Sequence, residues 1–200
     1  MQPSPDPALA PLRDVGALLE GHFVLASGKH SGHYVQVARL AEQPAKLGAL
    51  LEQHRDALAA LQPDSVFAPA IGALPIGQQL ALTLGCRSKF AERKDNVMTL
   101  RRGFAFRPGE RLLLVEDVVT TGGTLGEIAA LAESQGAEVA GVFAVINRSG
   151  EPTWRGKPLH ALFSLQFPVH EPSACPLCAE GLPTERPGSK AVDGPKGDPS

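Results

Sequence analysis

The sequence predicts an α/β fold in which helices flank a mostly parallel sheet, and three observations favour this class. Hydrophobic residues make up 43% of the 200-residue chain, which is enough to bury one sizeable core. Strand-like and helix-like segments alternate along the chain, as they do when parallel strands are joined by helical crossovers. Residues 112–115 are all apolar, which is typical of a central parallel strand that is buried on both faces.

The first half of the chain alternates helices with short strands. Residues 8–20 predict a helix because Leu12, Val15 and two later leucines fall on one helical face. Residues 44–61 predict a longer helix, with a proline near its start and leucines at helical spacing. The remaining elements, in order, are a short strand at 34–37, a buried strand at 65–70, a helix at 75–84 that Gly85 ends, and a strand at 87–91.

The second half opens with a predicted hairpin or mobile flap. Residues 97–100 and 104–106 flank Arg101-Arg102-Gly103, which has the composition of its turn. The later elements are a buried strand at 111–115, a helix at 124–135 closed by Gly136, and buried strands at 139–146 and 159–167. Residues 183–200 are expected to form a disordered tail, because their few apolar side chains cannot offset the entropy of ordering.

Composition excludes several classes of protein. The net charge of -2 and the pI of about 6.3 provide no positive field for a nucleic-acid partner. No run of 18 apolar residues predicts a membrane span, and the N-terminus lacks the pattern of a secretory signal. Three cysteines are too few for a disulfide framework, so we expect reduced thiols and a cytoplasmic location.

Two of the cysteines raise the question of a metal. Cys175 and Cys178 form a Cys-x-x-Cys pair, which is one half of a common zinc ligand set. With His170 as the nearest histidine, the set reaches only three ligands. We therefore expect a metal-free turn, with zinc shared between two molecules as the lesser alternative. His22 and His30 are expected to be surface or loop side chains.

A loop rich in glycine and threonine follows the apolar strand. Gly122 and Gly123 allow backbone N–H groups to approach an anion, and the helix expected from Thr124 directs its positive end at the same place. Glu116 and Asp117 precede this loop, and like charge prevents them from binding phosphate directly. They suit sugar hydroxyls, a metal, or positive charge that develops in a reaction. The segment predicts a site for a phosphorylated sugar whose anomeric carbon becomes cationic.

Residues 115–124, Val-Glu-Asp-Val-Val-Thr-Thr-Gly-Gly-Thr, resemble the phosphoribosyl pyrophosphate (PRPP) signature of the type I phosphoribosyltransferases. The alternative is an ordinary strand–loop–helix turn, but the signature is long and stands in the expected context. The resemblance implies one domain over residues 1–182, with a small hood from about 1–40 and 159–182. It implies the following PRPP contacts: Arg93, Lys94, Glu116, Asp117, Val118, Val119, Thr120, Thr121, Gly122, Gly123 and Thr124. Among them Glu116, Asp117 and Lys94 are the expected catalytic residues.

A second stretch narrows the resemblance. Residues 23–34, Phe-Val-Leu-Ala-Ser-Gly-Lys-His-Ser-Gly-His-Tyr, are similar to the N-terminal Phe-x-Leu-x-Ser-Gly-x-x-Ser segment of the orotate phosphoribosyltransferases. A surface loop before a strand is the alternative. The resemblance implies that Ser27 and Gly28 offer donors to an acidic base, and that Thr120 and Arg148 hold orotate. A fork-shaped guanidinium suits the planar carboxylate.

The basic pair Arg93-Lys94 matches the start of the family's flexible loop, which closes over pyrophosphate from a neighbouring subunit. The resemblance therefore implies a homodimer with a shared loop. It also implies Mg²⁺ held mainly through the substrate, with no dedicated protein ligands. Two departures concern this region: Ala26 stands where many bacterial members have lysine, and the loop lacks a further lysine and histidine. Arg101 and Arg102 are the nearby cations that could replace the missing charges.

The resemblance implies transfer of ribose 5-phosphate from PRPP to orotate, within pyrimidine synthesis. A purine-type phosphoribosyltransferase is one alternative, since it shares the phosphate signature but lacks the segment at 23–34. A non-catalytic regulator that senses the same ligands is another, but it would normally need a basic nucleic-acid face. A panel of bases tests the first alternative, and nucleotide-dependent nucleic-acid binding without turnover would support the second.

Overall fold

A computed structural model describes residues 7–187 of the chain. These residues form two compact units. The small unit combines the chain up to Gln36 with the chain from Phe167 onward, and the large unit is Val37–Gln166. No helix within residues 7–187 is long and apolar enough to cross a membrane.

The elements follow one another in three segments. The first contains a 3₁₀-helix Pro7–Leu9, then α1 (Ala10–Asp14), β1 (Leu18–Val24) and β2 (His30–Val35). The large unit contains α2 (Ala38–Ala41), α3 (Pro44–Glu52), α4 (Arg55–Ala59), β3 (Ser65–Pro69), α5 (Leu74–Leu84), β4 (Arg87–Lys94), β5 (Val97–Leu100), β6 (Arg111–Val119), α6 (Gly123–Glu133), β7 (Glu138–Asn147), β8 (Thr153–Trp154) and β9 (Lys157–Ser164). The last segment contains β10 (Val169–His170), a 3₁₀-helix Pro172–Ala174 and α7 (Pro176–Ala179).

The large unit is built on a seven-stranded sheet with the order β5-β4-β3-β6-β7-β9-β8. Strands β4, β3, β6, β7 and β9 are parallel, and antiparallel β5 and β8 form the edges. The chain places β4 on one side of β3 and β6 on the other, so the strand order reverses between β3 and β6. In open α/β sheets such a reversal opens a crevice at the carboxyl ends of the two strands, where ligands bind. The predicted α/β class with a mostly parallel sheet is confirmed.

Helices cover both faces of this sheet. Leu125 and Ile128 of α6 are fully buried with Phe67 and Leu114 on one face. Residue 77 of α5 is a glycine on the opposite face, where a Cβ would lie 3.1 Å from the Cβ of Ala68, so the helix can approach β3 closely. Burial of each large apolar side chain contributes about 1.5–3 kcal/mol, which makes this two-layer core the main source of stability.

The small unit is a three-stranded antiparallel sheet with the order β1-β2-β10. Phe23 of β1 is buried, and its ring lies 5.9 Å from the ring of Tyr34 across the hairpin. The contact of β10 with β2 is short, because only Val169 and His170 pair with it. Glu185 adds an isolated parallel bridge to Phe23. This unit therefore has few backbone ties between its two chain segments.

The first helix is shorter than the helix predicted over residues 8–20. The helix ends at Asp14, and the residues from Leu18 onward form β1. Gly16 has a φ of +65°, its N–H donates to Arg13, and the N–H of Ala17 donates to Leu12. Glycine in this conformation ends the helix. It lies among the regularly spaced apolar residues that predicted one continuous helix.

Three further predicted elements differ from the structure. The helix at 44–61 is interrupted at Gln53 and His54, whose N–H groups donate to the third residue back rather than the fourth. The hairpin turn lies at Asp95-Asn96, because both have positive φ, as a two-residue turn requires, and residues 104–106 form no strand. Strand β6 continues to Val119 rather than ending at residue 115, so it includes the acidic pair.

The predicted hood and tail have different boundaries in the structure. Strand β9 pairs with β7 in the large sheet, so residues 159–166 belong to the large unit rather than to a hood. Within the tail predicted at 183–200, the N–H of Glu185 donates to His22 and its carbonyl accepts from Val24, because the strand β1 offers an open edge there. Residues 188–200 lie outside the described residues.

Candidate active site

Two loops meet at the crevice where the strand order reverses. Gly72 follows β3 and Asp117 lies near the end of β6. A Cβ on Gly72 would lie 2.6 Å from Oδ2 of Asp117 and 3.3 Å from its Cγ. Only glycine therefore permits this approach, and the loop after β3 lies directly against the acidic pair.

The two acidic residues of the pair have different surroundings. Glu116 is buried, whereas Asp117 is half-buried. Oδ1 of Asp117 accepts the N–H of Val118 at 2.8 Å, and Oε1 of Glu116 accepts the N–H of Asp117 at 3.2 Å. Asp117 is the member of the pair that lies against the Gly72 loop.

The glycine–threonine loop runs from β6 into α6. Thr120 and Thr121 are exposed, Gly122 occupies the N-cap of α6 with a φ of +72°, and the helix runs from Gly123 to Glu133. The first N–H groups of a helix have no partner within it, and the helix dipole adds partial positive charge there. The loop thus has the shape and polarity of an anion site.

Trp154 lies beside this loop, and no sequence motif predicted it there. A Cβ on Gly122 would collide with the indole nitrogen of Trp154 on β8. The Arg155 guanidinium lies 4.7 Å from the Trp154 ring centroid, and a Cβ on Gly126 would lie 3.1 Å from its Nη2. The edge hairpin therefore packs over the start of α6, and Gly122 is required both by its backbone conformation and by the indole.

Arg148 lies beside the same loop. It follows β7, and its N–H donates to the carbonyl of Val119 at 2.8 Å, which places residue 148 next to Thr120 at the carboxyl ends of adjacent strands. Burial lowers the pKa of the Arg148 guanidinium, which nevertheless remains charged at neutral pH. Within residues 7–187 no carboxylate lies within 4.0 Å of it. Its half-buried charge is available to an anionic ligand.

The predicted pyrophosphate cations lie on β4 and on the turn after β5. Nη2 of Arg93 lies 2.7 Å from Glu127 of α6, and Lys94 is exposed. Arg101 and Arg102 both pair with Glu92, and the hydrogen bond from Arg102 lowers the pKa of that carboxyl. Both charges are thus engaged by Glu92 in this structure, as that of Arg93 is by Glu127. In the part of the chain that is described, Lys94 has no salt-bridge partner.

Ser27 and Gly28 lie at the tip of the β1–β2 hairpin in the small unit. Gly28 has a φ of +80°, and its N–H donates to the carbonyl of Leu25 at 2.9 Å. The hydroxyl of Ser27 accepts the N–H of Lys29 at 3.4 Å. The expected backbone donor of Gly28 is therefore used inside the turn, while the Ser27 hydroxyl still has a hydrogen to donate.

Two histidines expected on the surface are buried. His22 and His30 are 3% and 8% exposed, and they lie beside Cys175 and Cys178. Among the described residues, His170, the histidine nearest to the cysteines in sequence, is not a member of this cluster. The pairing of β1 with β2 brings the rings of His22 and His30 together edge to face, with centroids 4.8 Å apart. This pairing could not be read from the spacing of the cysteines.

Substitution of Gly72 by Ala is expected to lower kcat/KM about 10- to 100-fold, because the new methyl group displaces the Asp117 carboxylate and small misplacements of reacting groups are costly. The melting temperature should change little, since Gly72 is exposed. Steady-state kinetics and thermal unfolding measure both. The matched control is Gly48→Ala in α3, where the Cβ meets only the flexible end of Gln79 at 3.0 Å. Equal kinetics for the two variants would contradict the role of this close approach.

Comparisons with known proteins identify a family to which most of this chain is similar. A family model described as a phosphoribosyl transferase domain matches residues 36–167. An orotate phosphoribosyltransferase of Thermotoga petrophila is 46% identical over 181 residues, which cover 90% of this chain and 97% of that protein. An orotate phosphoribosyltransferase of Caldicellulosiruptor saccharolyticus is 43% identical over 180 residues, or 90% of this chain and 94% of that protein.

Solved structures show the same fold. The crystal structure of an orotate phosphoribosyltransferase from Aeropyrum pernix has a TM-score of 0.65 and 26% identity, covering 77% of this chain and 91% of that one. The adenine phosphoribosyltransferase of Thermoanaerobacter pseudethanolicus has a TM-score of 0.59 at 19% identity, covering 66% and 88%. The purine-type likeness is thus one of fold, whereas the likeness to the orotate-type relatives extends to the sequence.

Proposed function

Because the chain belongs to the orotate phosphoribosyltransferase family, we propose that it transfers ribose 5-phosphate from PRPP to orotate in pyrimidine synthesis. The products are orotidine 5′-monophosphate and pyrophosphate. The observation that carries this proposal is the contact of Gly72 with Asp117 beside the glycine–threonine loop. It joins an anion site to a carboxylate at the point of the sheet where ligands bind.

The donor substrate has two phosphate-bearing ends, and the crevice has a place for each. The 5′-phosphate would accept hydrogen bonds from the loop of residues 120–124 at the start of α6. The ribose hydroxyls would then face Asp117 and Glu116. The pyrophosphate would lie along the Gly72 loop, where the absence of a side chain lets the backbone come close.

In the reaction, the C1–O bond to pyrophosphate breaks and its electron pair leaves with pyrophosphate. The N1 atom of orotate forms the new bond to C1, and its proton passes to the departing pyrophosphate. Positive charge builds on the ribose ring as the leaving group departs, and the Asp117 carboxylate favours that charge from a fixed position. Lys94 and Arg93 would offset the charge of the leaving pyrophosphate once Arg93 exchanges Glu127 for the substrate. Closure over the site would exclude water, which competes with orotate as acceptor.

Arg148 is the proposed anchor of the orotate carboxylate. It has no counter-ion among the described residues, and its backbone is fixed to the end of β6. Thr120 on the neighbouring strand end would add a hydroxyl. Ser27 of the small unit is proposed to contact the base through its hydroxyl, with Gly28 shaping that turn.

Mg²⁺ is proposed to enter with PRPP. Glu116 and Asp117 are two carboxylates at the crevice, and among residues 7–187 they belong to no cluster of three or more metal-binding side chains. Mg²⁺ usually takes only one or two carboxylates plus substrate phosphates and waters, so the crevice fits an ion that is held mainly through PRPP. When bound, the ion would neutralise pyrophosphate charge, while the protein residues orient the sugar.

The enzyme is proposed to act as a cytoplasmic homodimer in which the segment around Lys94 reaches the neighbouring subunit's crevice. Three cysteines are too few for a disulfide framework, which supports the location. Sedimentation velocity of the full chain checks the stoichiometry.

A spectroscopic assay of orotate consumption with PRPP and Mg²⁺ tests the proposed reaction. Adenine, guanine, hypoxanthine and uracil serve as competing acceptors under the same conditions. Consumption of orotate alone supports the proposal, and release of pyrophosphate with a purine instead would assign a purine-type enzyme. Absence of turnover with every base, together with nucleotide-dependent nucleic-acid binding, would identify a regulator.

Replacement of Arg148 by Lys is expected to raise the KM for orotate about 10- to 100-fold, because a bidentate charged contact is lost. The KM for PRPP should stay within about twofold, since the phosphate loop is untouched. Arg87→Lys is the matched control, because Arg87 is exposed at the opposite end of the sheet. A rise in the KM for PRPP alone would instead indicate that Arg148 binds PRPP.

A further inference from the structure

Four potential metal ligands meet in the small unit. His22 and His30 come from the two strands of the β1–β2 hairpin, and Cys175 and Cys178 flank the start of α7. Their ligand atoms all lie within 4.8 Å of one another. No part of the proposed reaction uses these side chains.

We propose that the small unit binds one Zn²⁺ ion through His22, His30, Cys175 and Cys178. Two cysteines and two histidines are a common ligand set of structural zinc sites. The second pair of ligands comes from the same chain, so zinc need not be shared between molecules, which was the lesser alternative from the sequence. The inference does not depend on the proposed reaction.

Three of the distances between ligand atoms agree with a tetrahedral site. With zinc bonds of about 2.0–2.1 Å to nitrogen and 2.3 Å to sulfur, neighbouring ligand atoms lie about 3.3–3.8 Å apart. Nε2 of His22 lies 3.5 Å from Sγ of Cys175 and 3.6 Å from Sγ of Cys178. Nδ1 of His30 lies 3.3 Å from Sγ of Cys178. The two ring nitrogens are 2.8 Å apart, so an ion would separate them by about 0.5 Å.

The His22 ring is already oriented for this role. Its Nδ1 lies 2.8 Å from the carbonyl oxygen of Leu182, to which an Nδ1–H would donate. That hydrogen bond fixes the tautomer in which Nε2 carries the free electron pair, and Nε2 is the atom that faces the two sulfurs. Metal-binding histidines usually have such a partner on the other ring nitrogen.

Charge and burial also favour zinc. Cys175 is 4% exposed and both histidines are buried with it, while Cys178 lies on the exposed side of the cluster. On binding, the two thiols lose their protons, and two thiolates with two neutral imidazoles balance the 2+ charge of the ion. Four protein ligands leave no open position for a substrate, so the site would be structural rather than catalytic.

The ion would connect the β1–β2 hairpin to the C-terminal segment, and few backbone hydrogen bonds join these two. Strand β10 pairs with β2 through only two residues, and α7 has four residues. Small units without a large core often depend on a metal for stability. Because the same hairpin carries Ser27 at its tip, zinc would also fix the segment proposed to contact orotate.

Metal analysis of the full-length protein, purified without an affinity tag, tests the site. The expected result is about one zinc per chain, and about one zinc released when a mercurial reagent titrates the thiols of the unmodified protein. Cys178→Ser should lose the zinc, whereas the matched control Cys86→Ser should retain it, because Cys86 lies in the large unit. Cobalt loading should produce the visible bands of a tetrahedral site with sulfur ligands.

Stability provides a readout that is separate from activity. Removal of zinc by a strong chelator should lower the melting temperature by about 5–10 °C, and added zinc should restore it. If Cys178→Ser fails to fold, the mercurial release and cobalt spectrum of the unmodified chain still decide the question. Purified protein with less than about 0.1 zinc per chain that also binds no added zinc or cobalt would overturn the proposal. So would a Cys175–Cys178 disulfide as the native state.

Discussion

Asp117→Asn is expected to lower kcat about 100- to 1000-fold while the chain remains folded. The substitution keeps the shape of the side chain but removes its charge, and preorganised charge at a developing cation contributes on this scale. Asp117 is half-buried against the Gly72 loop, and its Oδ1 already accepts the N–H of Val118. It therefore cannot be replaced easily by a neighbouring group. Pre-steady-state and steady-state kinetics with orotate and PRPP measure the loss.

The matched control for this experiment is Glu133→Gln, which removes the same charge from an exposed position at the end of α6. Its turnover should equal that of the unmodified chain. Circular dichroism and thermal unfolding verify that both variants are folded. A folded double variant, Glu116→Gln with Asp117→Asn, that retains full turnover would falsify the role of the acidic pair.

The part of the site that the sequence predicts best is local in the chain. The loop of residues 120–124 and the two acids before it form one continuous stretch, and the helix that follows begins within one residue of the predicted start. Their chemistry depends on short-range geometry, which composition and spacing encode directly. The extent of β6 was underestimated because its pairing with β7 continues through polar residues to Val119.

Contacts between distant segments account for what the sequence did not predict. The choice of Glu92 as the partner of Arg101 and Arg102 follows from the β4–β5 hairpin, whose turn lies at Asp95-Asn96. Glycines at 72 and 122 are identified as obligatory only when Asp117 and Trp154 are seen beside them. The cluster of two histidines and two cysteines likewise spans about 150 residues of chain, and no local pattern could have joined its halves.

A buried ion pair at the opposite end of the large sheet gives the second large expected effect. Nζ of Lys89 lies 2.6 Å from Oε1 of Glu110, and both side chains are almost fully buried. Oε1 also accepts the hydroxyl of Ser65 at 2.5 Å, and Oε2 accepts the N–H of Arg107 at 3.0 Å. Lys89 donates further to the carbonyl of Ala105. The network joins β3, β4 and the start of β6, so removal of one charge leaves the other buried without compensation.

Glu110→Gln is expected to lower the free energy of unfolding by about 3 kcal/mol, since breaking one side of a buried pair typically costs 3–5 kcal/mol. The melting temperature should fall by about 6–12 °C. The matched control is Glu127→Gln, which breaks a pair of similar length with Arg93 that is about 40% exposed and should cost less than about 1 kcal/mol. Urea titrations compare the two variants, and equal losses would mean that burial does not determine the effect.

The Glu110 carboxylate should also make the free energy of unfolding depend on pH in the acidic range. Burial raises the pKa of Glu110, but the hydrogen bonds from Lys89, Ser65 and the N–H of Arg107 outweigh it and lower the pKa from 4.5 to about 2. A lowered pKa means that the stabilisation is complete above about pH 5 and is lost as the pH falls from 4.5 toward 2. The shift corresponds to about 3 kcal/mol. Unfolding measured between pH 6 and about 3 should therefore show a steeper loss for the unmodified chain than for Glu110→Gln, and parallel pH profiles would place the acid sensitivity elsewhere.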